Sequence, residues 1–310
     1  MASGRRSEPA GPGTRPELLA SCGLLLITVT WGTSFALQKI ALPAIGPAWF
    51  NVLRFAVATG VLVPLFLRSL RRATRRQLGT AAGVGLVLGS AMMLQSAGLT
   101  LTSASVGGFI SGLPVVMTPI LAIVLLGERP GVWTAAGVVL ATGGLALISL
   151  TDSPAVSRGD LLVLASSAGF ALQIVLTGAL ARSIDPRVLG TMQSVGALAA
   201  CTSAALLFER PPASVPSQVG AIVLQQGAIN LGLVWVLQSW AQRHASATRT
   251  ALIYTMEPVF ALLFAWWWLG ESLTPRVATG AAVILVAMLA ASLGPHLRRT
   301  PAPDRGRIPA

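Results

Sequence analysis

A carboxylate stands in the middle of one of the most apolar stretches of this chain: Glu257, within ALIYTMEPVFALLFAWWWLGE, Ala251 to Glu271. About 12 residues of helix on either side, or ~18 Å, would put it too deep for a short side chain to reach water. An acid at such depth costs about 2.5 to 3.5 kcal/mol on insertion scales, so it is expected to face a bundle interior or a cavity and to mark a pathway. Thr250, Tyr254 and Glu257 fall at i, i+4 and i+7, a single polar stripe on an otherwise greasy helix. Pro258 follows at once and has no amide proton, so the Tyr254 carbonyl loses its usual partner and a hinge is expected there. A carboxyl group beside a freed carbonyl can bind a solute or exchange protons. The bland alternative is an acid that stays protonated and clasps a neighbouring helix.

The second buried charge is Arg54, about six residues or ~9 Å inside its own apolar stretch. Its planar fork of five N–H donors could hold a solute carboxylate, and with Glu257 it could clasp both ends of a zwitterion. It could equally snorkel outward, or pair with Glu257. Trp31, Ser34 and Gln38 share a face at i, i+3 and i+7, and Gln226 and Asn230 do so at i and i+4. Gln95 and Gln173 add further amides. Each alone reads as interhelical glue; together they could build a polar cavity, with Trp31 offering a face to an organic solute or cation. Cys22 and Cys201 form no disulfide or metal pattern, His244 and His296 have no second ligand at metal spacing, and no catalytic or phosphate-binding motif is present. The expectation is a small-molecule substrate with no cofactor, no metal and no enzymatic chemistry.

The elements that would position these residues are membrane helices. With 54% apolar and 10% charged residues, and a mean hydropathy of +0.73, the chain prefers hydrocarbon to water. Runs near the ~20 residues needed to span a bilayer predict ten helices: 18–40, 48–67, 77–99, 104–126, 132–150, 160–181, 188–208, 217–241, 245–269 and 274–294. Continuous apolar runs favour helix over membrane strands. Disordered tails are expected at 1–17 and 295–310, with a linker at 151–159.

A net charge of +12 would suggest nucleic acid in a soluble protein, but its distribution follows a membrane. With an internal N-terminus, 17 of the 22 basic residues fall on the cytoplasmic side, and Lys39, Arg158, Arg210 and Arg276 outside, so both termini are expected to be cytoplasmic. The loop RSLRRATRR reads as a topology determinant touching anionic lipid, with no nucleic-acid role.

The halves repeat. SFALQKI at Ser34 returns as GFALQIV at Gly169, an offset of 135; LQSAGLTLTSAS at Leu94 meets LQSWAQRHASAT at Leu237, and Gly127-Glu128 meets Gly270-Glu271, both at 143. At that offset Pro114 stands opposite Glu257, so a hinge is expected in both halves and the acid in one. Five spans per half, an odd number, require inverted repeats, a recurrent construction of secondary transporters.

WGTSFALQKIALPAIGPAWFNVLRF, with Trp31, Gly32, Pro47 and Arg54, resembles the opening of an EamA domain, and EPVFALLFAWWWLGESLT resembles its close. The resemblance covers both halves, 18–150 and 160–294. It implies the drug/metabolite transporter superfamily and an all-α membrane protein of ten helices in two inverted five-helix repeats. The second half departs where Ser167 and Ala168 replace Gly32 and Thr33, and where Gln193 stands opposite Arg54. The resemblance implies a permease of the bacterial cytoplasmic membrane that exports an amino acid or related metabolite. Protons are a candidate coupling ion, membrane lipid is a partner, and a homodimer is allowed. An organic-cation exporter, and a structural or lipid-handling protein without flux, are the alternatives.

Overall fold

The computed structural model describes residues 15–101, 110–127, 130–149, 157–269 and 275–297. Most of both tails, the linker core 151–156, and Glu128, Gly270 and Glu271 of the repeated pairs lie outside the described residues.

Among the described residues all regular structure is helical. The first half comprises α1 (Arg15–Ile45), α2 (Pro47–Leu65), the short α3 (Leu67–Arg72), α4 (Arg75–Leu99), α5 (Pro114–Leu126) and α6 (Val132–Ser149). The second comprises α7 (Arg158–Leu180), α8 (Pro186–Phe208) and α9 (Ser217–Gln225), which passes through a π-helical segment (Gln226–Leu233) into α10 (Val234–Ala241). It ends with α11 (Ala247–Tyr254), α12 (Met256–Leu269) and α13 (Pro275–Leu297). Six helical stretches are long and apolar enough to cross a membrane: α1, α2, α4, α7, α8, and α9 through α10. Helix also occupies the described parts of the other four expected stretches.

Local chemistry sets the ends. Thr74 and Gln77 form a capping box at α4, as do Ser157 and Asp160 at α7, each satisfying amides that a first helical turn leaves without partners. Gly127 takes a left-handed φ of 64° and closes α5. The first helix departs from expectation by running past Ile40. Ala41, Leu42 and Ile45 are buried, so the apolar face continues until Gly46, whose φ of 75° breaks the turn. The basic loop is also partly helical, as α3.

The two halves interleave, and their contacts mirror each other. The pairing of α2 with the π segment recurs as α8 with α4, that of α1 with α12 as α7 with α5, and that of α1 with α10 as α7 with α4. Two pairs, α2 with α8 and α6 with α13, join corresponding helices directly. Gly85 and Gly89 admit this closeness, because a Cβ at either would collide with the backbone of α8 at Gln193 or Ala197. Gly79 and Gly83, expected to do the same, face open space, since they lie on the other side of the same helix.

Burial is that of a membrane protein. Leu206, Leu207, Phe208, Val124, Val139 and Trp267 are 69 to 82% exposed, while Arg54, Asn51 and a dozen Gln, Ser and Thr side chains are almost fully buried. Hydrocarbon solvates the first group, and the second must find partners inside. Cys201 is buried as expected of a packing residue; Cys22 is exposed, on the outer face of α1.

Each end of the bundle is tied across the halves. At the end where α1 turns into α2, here the Gly46 end, the Glu209 carboxylate after α8 accepts the amides of Ala48 and Trp49. At the opposite end Arg243 donates to the carbonyls of Ala181 (2.7 Å) and Ile184 (2.8 Å), and Arg249 pairs with Glu17 at 3.6 Å.

Candidate functional site

Helices from both halves enclose one cavity, with room for the centre of a water-sized sphere over about 80 Å³. That is space for several waters or the polar part of a small metabolite. All eight residues singled out from the sequence line it: Trp31, Gln38, Arg54, Gln95, Gln173, Asn230, Tyr254 and Glu257. Pro114 lines it too, whereas the side chain of Pro258 lies outside the described residues. Thr250 of the polar stripe does not reach the cavity, because its hydroxyl turns back to the Ser246 carbonyl at 3.0 Å.

Glu257 is delivered by a broken helix. Helix α11 stops at Tyr254, Thr255 forms a turn bonded to Leu252, and α12 restarts at Met256, three residues before the fourth-turn amide that Pro258 would have supplied is missed. The first half breaks at the corresponding place, with helix at 110–112, a turn at Leu113, and α5 from Pro114. Among the described residues Glu257 makes no hydrogen bond or ion pair, so a clasp to a neighbouring helix has no partner.

Arg54 points inward and is 1% exposed, which removes the snorkelling alternative. Its guanidinium lies 4.3 Å from the centroid of the Phe50 ring, donates to Asn51 Oδ1 and approaches Met92 Sδ at 4.0 Å. Its Nε has no partner, and it forms no ion pair with Glu257. One cavity therefore presents a cation from the first half and an acid from the second, each uncommitted to the other.

Between them stands an aromatic wall. The Trp31 ring lies 4.9 Å from Tyr254 and 5.6 Å from Trp235, and the Tyr254 hydroxyl has no partner. Trp235 was not singled out from the sequence, although it is the largest fully buried side chain; a second mid-span tryptophan facing Trp31 was the signal. Ser111, Phe170 and Met92 complete the lining without a sequence cue beyond their helices.

The π segment replaces the plain helix expected at 217–241. Wide turns of this kind occur often at functional sites, and this one ties itself to α1. Trp31 Nε1 donates to the Asn230 carbonyl (3.2 Å), Asn230 Nδ2 to the Thr30 carbonyl (3.1 Å) and Ser34 to Gln226 Oε1 (2.8 Å). Gln38 leans back on Ser34 at 3.3 Å and leaves its Oε1 without a partner.

A second polar cluster lies toward the Arg243 end, and here the amides bond to one another. Gln173 Nε2 donates to Gln193 Oε1 at 2.6 Å, Gln238 Nε2 to Gln173 Oε1 at 3.3 Å, and Gln193 Nε2 to Ser239 at 3.3 Å. Thr177 and Gln242 extend the network. Gln173 thus belongs both to the cavity wall and to its glutamine floor.

With this geometry in place, comparison with known proteins is informative. The model of the EamA-like transporter family matches residues 18–150 and 157–293. An uncharacterized transporter of Archaeoglobus fulgidus is 29% identical over 277 residues, covering 89% of this chain and 87% of that protein. A probable terminal-alkyne amino-acid exporter of Streptantibioticus cattleyicolor is 27% identical over 297 residues, covering 92% and 97%. A crystal structure with a TM-score of 0.75 covers 92% of this chain and 99% of its own at 18% identity, and so shares the fold.

Proposed function

The chain belongs to the EamA-like transporter family, and from that premise we propose that it is a secondary transporter that exports a small carboxylate-bearing metabolite, an amino acid or a close relative, by alternating access. The observation that carries this reading is the pair of uncommitted charges, Arg54 and Glu257, lining one cavity from opposite halves. A guanidinium suits a carboxylate, and an acid beside the Trp31, Tyr254 and Trp235 rings suits an ammonium group. The amino-acid exporter of Streptantibioticus cattleyicolor supports the same substrate class.

In this reading ten spans form two inverted five-helix halves in a bacterial inner membrane, with both termini cytoplasmic by the bias of basic residues, and Glu257 exchanges protons during the cycle. The Gly46 end then faces outward and the Arg243 end faces the cytoplasm. An organic-cation exporter would need Arg54 turned away from the cavity; Arg54 lines it. A purely structural role leaves the cavity and its free charges unexplained.

The test is flux in vesicles reconstituted with the purified chain, using a panel of amino acids and organic cations under imposed pH and voltage gradients. Amino-acid flux that is lost in Arg54→Gln and Glu257→Gln supports the reading. Cation flux that survives Arg54→Gln sinks it.

A further inference from the structure

The duplicated halves put the same three positions at both ends of the cavity. Gln38, Arg54 and Gln95 correspond to Gln173, Gln193 and Gln238 at offsets of 135, 139 and 143 residues. Their states differ. The second-half set is bonded member to member, whereas each member of the first-half set holds a local neighbour: Gln38 on Ser34, Arg54 on Asn51 and Gln95 on Ser111. The atoms left without partners are complementary: an acceptor, Gln38 Oε1, and a donor, Arg54 Nε.

We propose that the two sets are alternative gates, and that the gate at the Gly46 end, because Arg54 replaces a glutamine in it, closes only over an anionic group. The inference rests on the alternating-access reading above and names the part of the substrate that triggers closure. In the closed set Gln193 both accepts, from Gln173 and Thr177, and donates, to Ser239. Every contact there is between neutral groups, so this gate seals without a ligand.

A guanidinium in the same place donates only and carries a charge that the interior cannot solvate. Its gate also lacks the outer polar ring, since Leu42 and Leu99 stand where the second half has Thr177 and Gln242. Only Ser96 repeats Ser239, and it is engaged by Asn51 at 2.9 Å. Until an anion arrives, the best place for the charge is where it now rests, against Asn51 and the Phe50 ring. Position 190, opposite Asn51, is glycine, so Gln193 has no such rest and nothing delays its closure. The closing anion is a carboxylate, and it has two sources: the substrate, or Glu257 across the cavity.

The experiment labels a single cysteine, Ser111→Cys with Cys22 and Cys201 replaced, using an impermeant thiol reagent applied to either face of oriented vesicles without substrate. In the parent, labelling is expected from the Gly46 face. Arg54→Gln makes the gates alike and is expected to lower that rate about tenfold and to raise labelling from the other face. Gln193→Arg, the mirror change, is expected to raise labelling from the Arg243 face by a similar factor, and it keeps the test decisive if Arg54→Gln does not fold. Unchanged rates in the variants that fold would overturn the proposal. Glu257→Gln separates the sources: faster labelling from the Gly46 face assigns the closing carboxylate to Glu257, and an unchanged rate assigns it to the substrate. Equal labelling from both faces in every variant would remove alternating access itself, an outcome distinct from a failure of the gate asymmetry alone.

Discussion

Glu209 caps a helix that is not its own: both carboxylate oxygens accept the backbone N–H of Ala48, at 2.9 and 3.1 Å, in the first turn of α2. The bond crosses from the end of α8 in the second half to the start of α2 in the first, 161 residues earlier. A carboxylate at a helix N-terminus answers both the unpaired amides and the positive end of the helix dipole. Removing it by Glu209→Ala is expected to lower stability by about 1 to 2 kcal/mol. The check is a thermal midpoint in detergent, with Glu209→Gln recovering part of the loss through its remaining acceptor.

Gly46 is predicted to tolerate nothing larger. Its φ of 75° and ψ of 157° lie in a region open almost only to glycine, and a Cβ there would meet Glu209 Oε2 at 2.7 Å. Gly46→Ala should therefore cost about 1 to 3 kcal/mol through the backbone alone and loosen the Glu209 bond as well. A midpoint within a degree of the parent would refute this.

Two glycines of one helix should respond with opposite signs. Gly79 is exposed with open space around it, so Gly79→Ala is expected to stabilise α4 by about 0.5 to 1 kcal/mol. Gly85→Ala would press a methyl group to 2.8 Å from the Gln193 Cα and should destabilise markedly. Denaturation of the pair in one detergent tests the assignment of faces directly.

Trp31→Phe keeps the ring against Tyr254 and deletes the indole N–H that the Asn230 carbonyl accepts. A buried carbonyl left without its donor costs about 1 to 3 kcal/mol. The expected result is weaker stability together with a raised KM for transport, because the cavity wall and the π segment share this bond. A variant with unchanged KM would separate the wall from the substrate.

Proton coupling is expected to reside in Glu257. In vesicles carrying a pH gradient, Glu257→Gln should lose gradient-driven accumulation while retaining any downhill exchange. Gradient-driven flux equal to that of the parent would place the coupling elsewhere.

The polar cavity was legible in the chain because an acid, an arginine and repeated glutamines are conspicuous in apolar runs, and the duplicated FALQ and LQS segments revealed the two halves. What these residues touch was not. Gln173 bonds to residues 20 and 65 positions away, and such partners depend on how helices are rotated about their axes. Gly79 with Gly83 and Gly85 with Gly89 have the same spacing, yet only the second pair meets α8, a choice made by packing. The break at Thr255 could be expected from Pro258, but no residue type announces eight π-helical residues at Gln226–Leu233.

That segment has a consequence for how the protein could change. A π turn is a helix wound with surplus chain, and deleting one residue within 226–233 would let it relax to ordinary winding. Everything after the deletion would then turn by about 100° and retreat by ~1.5 Å relative to what precedes it. Trp235 would swing away from Trp31, and Gln238 would leave Gln173. A one-codon lesion in this stretch therefore threatens the aromatic wall and the glutamine floor at once, whereas the same loss in the loop at 210–216 would be absorbed by slack.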